Sequence, residues 1–306
     1  MNPKPKTARR SPPERNWRAA AFPVVLMLPA LTLFLLVIAY PLVQSLAYSL
    51  FDASLLSGES TFVGLANIEA LLGSPGFWDM LTNTAVFVVA STLGAFVLAL
   101  ALALAMNAGI VGAGAWRTGF LLPWILPGVV VSFLWSWIFN TNYGLLNGVI
   151  QLLGGAGDTN WLSSPALAMT AVIVAKVWHS FPWMMVLLLA AMQAIPAELH
   201  DAASVDGAGG WKRQAYIVIP QIKPAMALTL LLETIWGLQH FEIPWVMTGG
   251  GPVGSTTLLS IGLYKQAFQR FDLGGAGAIG LLWAVIMAAV ATAYILYSRH
   301  QERSNA

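Results

Sequence analysis

Six long runs of apolar residues, parted by short polar stretches, leave this chain few ways to fold. About 20 uncharged residues cross the roughly 30 Å hydrocarbon layer of a bilayer as a helix, because in lipid the backbone must satisfy its own hydrogen bonds. The runs lie at about residues 22–49, 81–106, 118–139, 166–194, 224–246 and 276–297. Composition points the same way: the 306 residues are 58% hydrophobic and 9% charged, where soluble domains carry about 25% charged residues. The expected fold class is an all-α membrane protein of six transmembrane helices, with the lipid bilayer as its solvent. A net charge of +2 implies no nucleic-acid partner. The absence of Cys excludes disulfides, thiolate catalysis and cysteine metal sites. Four scattered His residues give no metal cluster.

Charge distribution sets the orientation. Residues 1–18 carry Lys4, Lys6, Arg9, Arg10, Arg15 and Arg18 among prolines, and are expected to be a disordered cytoplasmic tail. The uncharged run from Ala19 to Phe51 is far longer than the apolar part of a cleavable leader, so it is expected to stay as the first membrane helix. The two tails, Arg117 and residues 196–224 together hold 12 of the 15 Lys and Arg, leaving Lys176, Lys265 and Arg270. Residues 52–79 and 140–165 contain no Lys or Arg, and 247–274 contains only Lys265 and Arg270. The positive-inside rule therefore places both termini and residues 196–224 in the cytoplasm and the other three stretches outside. Residues 1–18 read as a basic tail, 19–298 as the six-helix domain and 299–306 as a second cytoplasmic tail. Pro123 and Pro127 are expected to bend the third helix. Trp17, Trp78, Trp116 and Trp161 fall near span ends, where indole is enriched.

The longest polar interruption of the second half, residues 196–224, has a structure of its own. Pro196 suits a helix start, and Asp206-Gly207 ends a short helix over about 197–205. Gly207 is expected at positive φ. An amphipathic segment from Trp211 to Ile219 follows and is expected to stop at Pro220. The residues Asp201-Ala202-Ala203, Asp206-Gly207-Ala208, Ile217, Ile219-Pro220 and Pro224 resemble the signature loop of permeases in bacterial ATP-binding-cassette importers. Asp201 stands where that family usually has Glu, one methylene longer. From residue 20 to 298 the chain is similar to one of the two unlike membrane subunits of carbohydrate importers, the group that includes those for maltose, trehalose and glycerol-3-phosphate. Tyr40-Pro41, Phe62-Val63-Gly64-Leu65 with Asn67, Leu122-Pro123-Trp124, and Gly144 with Asn147 carry this likeness. Thr248-Gly249-Gly250-Gly251-Pro252 is typical of the first, maltose-permease-like subunit, although the large outer domain of the maltose protein is missing here.

The resemblance implies a type I importer permease fold in a bacterial inner membrane, with a cytoplasmic coupling helix. It implies as partners a second, unlike permease, two ATPase subunits, an external substrate-binding protein and a sugar substrate. The chain has no Gly-Lys-Ser/Thr phosphate loop, so ATP and magnesium are expected on the ATPase partner, with no cofactor here. Glu198, Asp201, Ala202, Ala203, Asp206 and Gly207 are the candidate contacts to the ATPase.

Two charges interrupt the apolar runs deeply. Lys176 and Glu233 each lie about 14 Å into their helices, where a charge costs roughly 2.5–3.5 kcal/mol. They can face each other as an ion pair that locks helices, or touch substrate. On the fifth run Glu233, Trp236, Gly237, His240 and Pro244 recur at helical spacing, with Gln239 and Glu242 beside them. Aromatic planes with amide and imidazole groups suit a sugar ring, so Trp236, Gly237, Gln239, His240, Glu233 and Lys176 are the candidate substrate contacts. The alternative is that Trp236 and His240 only pack within the bundle. Lys176 also leaves open a sugar phosphate or glycerol phosphate as substrate. An ion-coupled secondary transporter, with Lys176, His179 and Glu233 as a relay, is a further alternative. An intramembrane enzyme lacks any nucleophile and base, and no catalytic or metal-binding residue is expected.

Overall fold

Proline and glycine decide where the apolar runs start, bend and stop. The structure, a computed structural model, describes the backbone of residues 17–109 and 112–304. The basic tail up to residue 16 and the last two residues lie outside the described residues. The chain divides into two compact units, residues 1–47 and 48–306. In the first, α1 (Trp17–Phe34) runs through a π-turn at Leu35–Ala39 into α2 (Tyr40–Ala47), part of a membrane-length span over Leu26–Leu50.

The second unit opens with a two-stranded antiparallel hairpin, β1 (Phe51–Ala53) and β2 (Ser60–Phe62), followed by α3 (Ala66–Leu72). Asn67 ties them together, since its Nδ2 donates to the carbonyls of Ser49 and Phe51 at 3.0 and 2.8 Å. The next span, α4 (Pro75–Asn107), starts six residues before the apolar run does, with Pro75 at its first position. Proline costs nothing there because that N–H has no intrahelical partner. Pro165 opens α8 (Pro165–Gln193) in the same way.

The α4–α8 contact is the centre of the unit. Ser91, Ala95, Ala99 and Ala103 recur every four residues on α4 and are fully buried. The three alanines share one cluster with Met184, Met185, Leu188 and Met192 of α8. Small residues at this spacing let two backbones approach, which in lipid replaces the hydrophobic drive that water supplies elsewhere. The alternating Leu-Ala stretch 98–105 is thus half lipid surface and half helix seam. At Gly94 a Cβ would stand 2.9 Å from Val177 Cγ2, so the closest approach tolerates no side chain.

Between α4 and α8 the third run is broken: α5 (Ala113–Ile125) and α6 (Gly128–Ile138) meet at 95° across Leu126-Pro127. Leu126 has extended geometry, as a residue before proline should. Then α7 (Leu145–Leu152) lies within the expected second outer loop. Beyond α8 come α9 (Ala197–Val205) and then α10 (Gly210–Arg213), a π-turn and α11 (Ile219–Gln221), the last three forming a helix over Gly210–Gln221 that meets α12 (Lys223–Leu238) at 65°. Helical backbone runs through Pro220 to Gln221, one residue past the expected stop. Among the described residues, four single helices are apolar and long enough to cross a membrane, and two bent pairs bring the number to six where each pair is one span.

Two expectations are corrected by backbone accounting. The fifth run does not stay helical to residue 246: α12 ends at Leu238 and α13 (Glu242–Thr248) begins after a break at 239–241. Pro244 has no N–H to give the carbonyl of His240, and that carbonyl instead accepts the Ser260 hydroxyl at 2.7 Å. The third outer stretch is also more than a loop. α14 (Leu259–Tyr264) folds back into the unit with Leu259 and Ile261 fully buried, its first N–H donating to Thr84 Oγ1 of α4 at 2.9 Å. A last helix, α15 (Leu273–Ser304), completes the unit.

Asn147 of α7 shows how the outer segments are held. It is 3% exposed, donates to the carbonyls of Thr141 and Thr159 at 3.0 Å each, and accepts Trp161 Nε1 at 2.8 Å. Asn147→Ala removes all three bonds and leaves a half-buried indole N–H without its partner, so we expect a loss of about 2–4 kcal/mol. A lowered thermal midpoint of the purified protein would record it; an unchanged midpoint would contradict the clamp.

Candidate functional site

Deep in the bundle the two intramembrane charges meet. Lys176 Nζ lies 2.9 Å from Glu233 Oε1, joining α8 to α12, and the two side chains are 5% and 0% exposed. The approach is close without hydrogen-bond alignment at Oε1, so the attraction there is chiefly Coulombic. Lys176 donates its aligned hydrogen bond one turn along α8, to Ser180 Oγ at 2.7 Å. The second carboxylate oxygen, Oε2, accepts Trp183 Nε1 at 3.1 Å. Each charge is thus held by groups of this chain, as a low-dielectric interior demands.

From Trp183 the contacts lead outward. Its indole, 7% exposed, meets that of Trp236 edge to face with centroids 4.8 Å apart, and Trp236 is 46% exposed. Gly237, one residue on, packs against Val88 of α4, where a Cβ would make ordinary contact at 3.5 Å. Gln239 is exposed in the break after α12. His240, in the same break, stacks on Phe87 with centroids 5.9 Å apart and buries an Nε2 that has no hydrogen-bond partner among the described residues. Gln239 and His240 therefore leave the helical stripe that spacing gave them. Trp183 and Ser180 escaped sequence reasoning, although Lys176, Ser180 and Trp183 recur at i, i+4 and i+7 on one helix face.

The other break lies against Glu242. A Cβ on Gly128, the first residue of α6, would collide with the Glu242 carboxylate, so only glycine lets that charge lie at the positive end of the helix. The Leu126 carbonyl, freed by the bend, lies 3.3 Å from His179 Nε2. Two broken helices are thus each satisfied by side chains, which is how irregular backbone survives at membrane depth.

The candidate coupling residues lie elsewhere in sequence and on the surface. α9 has the expected bounds. Glu198, Asp201 and Ala202 are exposed, Ala203 is buried, and Asp206 is an exposed C-cap. Gly207 has φ +73°. Its N–H donates to Ser204 O and that of Ala208 to Ala203 O, the paired bonds of a glycine-ended helix. Leu199 and Val205 of α9 are 39% and 89% exposed.

A cavity of about 720 Å³ is lined by Asp79, Asn83, Thr257, Lys265 and Arg270. Burial, and then the charge of Arg270, lower the pKa of Lys265. Beside it the Thr248–Gly254 loop is stiffened by Thr256 Oγ1 to Gly251 O at 2.8 Å and by Asn83 Nδ2 to Gly254 O at 3.0 Å. At its tip Val253 is 97% exposed at φ 49°. None of the residues around Lys176 and Glu233 lines this cavity.

Residues 95–304, which hold both the buried pair and α9, match the model of a family described as the inner membrane component of binding-protein-dependent transport systems. The chain belongs to this family. Among its relatives is the sulfoquinovosyl glycerol transport system permease SmoG of Agrobacterium fabrum, 34% identical over 91% of each chain. The trehalose/maltose transport system permease MalF of Thermococcus litoralis is 35% identical over 93% of this chain and 96% of its own. A crystal structure of a bacterial importer of the acidic polysaccharide alginate superposes with a TM-score of 0.82, covering 94% of this chain and 99% of its own at 23% identity. The fold is therefore that of an importer permease, and family members of this kind are transport subunits, not enzymes.

Within this permease, Lys176→Met leaves Glu233 charged and unpaired at zero exposure. We expect a loss of about 3–5 kcal/mol, read as poor membrane insertion or yield, and a smaller loss when Glu233→Gln is added. Equal losses for the single and the double variant would show that pairing is not what holds these groups.

Proposed function

We propose that this permease forms half of the translocation path of an ATP-driven, binding-protein-dependent carbohydrate importer, beside a second, unlike permease. Two ATPase subunits that bind ATP and magnesium work on it from the cytoplasm, and a sugar-loaded binding protein docks outside. Both termini and residues 196–224 then face the cytoplasm of a bacterial cell. The observation that carries this reading is α9, a short capped helix with exposed Glu198, Asp201 and Ala202 and exposed apolar Leu199 and Val205. A helix left so open offers a partner both a charged and an apolar face.

Trp236, Gln239 and His240 are the proposed sugar contacts, the exposed indole taking the apolar face of a ring and the other two its hydroxyls. A neutral mono- or oligosaccharide is the favoured substrate. The pairing of Lys176 with Glu233 supports this choice over a sugar phosphate, since that charge already has a partner. The relatives named for trehalose, maltose and sulfoquinovosyl glycerol support the carbohydrate class.

Two experiments test the cytoplasmic coupling role. A Cys at the exposed Ser204 position should resist an impermeant thiol reagent in intact cells and react in inverted vesicles; labelling from outside would overturn the topology. Gly207→Val forces a branched side chain to φ +73°, a conformation that costs about 1–2 kcal/mol and redirects α9. Hydrolysis stimulated by the loaded binding protein should fall at least about fivefold, or the ATPase subunits should fail to co-purify. Wild-type subunit content with wild-type stimulation would remove α9 as the coupling element.

A further inference from the structure

The intramembrane charge pair is closed off from the surface of this chain. Lys176 is 4% exposed and Glu233 0%, and their polar neighbours are Ser180 and Trp183. Trp236, by contrast, is half-exposed and rests on Trp183. We infer that Lys176 and Glu233 are positioning residues: they hold the indole of Trp183, and Trp183 holds the indole of Trp236, so the pair acts on sugar through two tryptophans without touching it. This rests on the reading of Trp236 as a sugar contact.

The first link is Coulombic and the two that follow are directional. An ammonium at 2.9 Å on one side fixes the Glu233 carboxylate, and a charge-assisted hydrogen bond from Trp183 Nε1 then fixes the second χ angle of that indole. An edge-to-face pair at 4.8 Å and 64° passes the orientation to Trp236, because the ring quadrupoles favour that angle over a loose slide. A half-exposed indole is otherwise free to change rotamer. A platform for a sugar ring must stay flat to the ring it meets, and the buried pair supplies that constraint from behind. The chain order supports a single device, since Lys176, Ser180 and Trp183 share one face of α8, while Glu233 and Trp236 are three residues apart on α12.

The test uses the full complex in proteoliposomes, driven by ATP and sugar-loaded binding protein, and reads ATP hydrolysed per sugar carried. Trp183→Phe keeps an aromatic ring and removes the N–H. It should raise that ratio at least about tenfold, the effect of one lost hydrogen bond to a charged group, with stimulated hydrolysis within about twofold of wild type. Trp236→Ala should raise the ratio at least as much, and adding Trp183→Phe to it should change nothing further. Lys176→Met with Glu233→Gln removes both charges but keeps a neutral acceptor for Trp183, and should raise the ratio by less than Trp183→Phe does. A purely structural role for Trp183 would instead lower complex yield and leave the ratio unmoved.

Three results would overturn the relay: a wild-type ratio for Trp183→Phe when Trp236→Ala is impaired, additive effects in the double variant, or uncoupling in the charge-free pair equal to that of Trp236→Ala. The third would put the charges on the sugar itself. A wild-type ratio for Trp236→Ala would be a different failure, removing Trp236 from the path and the proposed sugar site with it. Trp183→Phe decides the matter even where a charge variant assembles poorly.

Discussion

A charge that enters hydrocarbon must bring its own counter-charge, and the ion pair between Lys176 and Glu233 is where this chain meets that demand. The pair sits between α8 and α12, and α8 is also the helix whose methionines and leucines fill the seam against α4. Lipid offers no hydrophobic drive for helices to associate, so small residues in register, aligned polar contacts and this one attraction hold the second unit together. Moving either charge would leave the other stranded at an exposure near zero.

Backbone satisfaction is the second constraint, and it explains the irregular parts. Two of the helix breaks have a proline at or near them, and at each a freed carbonyl finds a side chain: Leu126 O lies beside His179, and His240 O accepts Ser260. Glu242 lies against Gly128 at the start of α6. The breaks are thus built features whose cost is met locally, and they bring polar side chains to a depth where an unbroken helix would present only lipid-facing residues.

Local punctuation made some of this legible in sequence. α9 could be bounded to the residue because Pro196 and Asp206-Gly207 act on their immediate neighbours, and Gly207 has the positive φ its place required. The pairing of Lys176 with Glu233 could be foreseen as one of two fates, since depth on each helix is simple arithmetic. The end of α12 could not. Pro244 acts on a carbonyl four residues back, and whether a helix breaks there depends on a hydroxyl supplied 20 residues later by Ser260. Trp183 was hidden for a similar reason: in a run with many aromatics nothing local marks the one whose N–H meets a carboxylate 50 residues away. The burial of α14 depends likewise on Thr84, 175 residues upstream of the N–H it caps.

We propose that this permease moves sugar by ATP hydrolysis in its partners, relayed through α9, and not by an ion gradient through its own charges. Proteoliposomes holding this chain with its second permease and ATPase subunits measure it directly. With sugar-loaded binding protein and ATP, uptake should persist when a protonophore collapses the proton gradient, and should stop when ATP is withheld. Sugar accumulation by this chain alone, driven by an imposed ion gradient, would contradict the account.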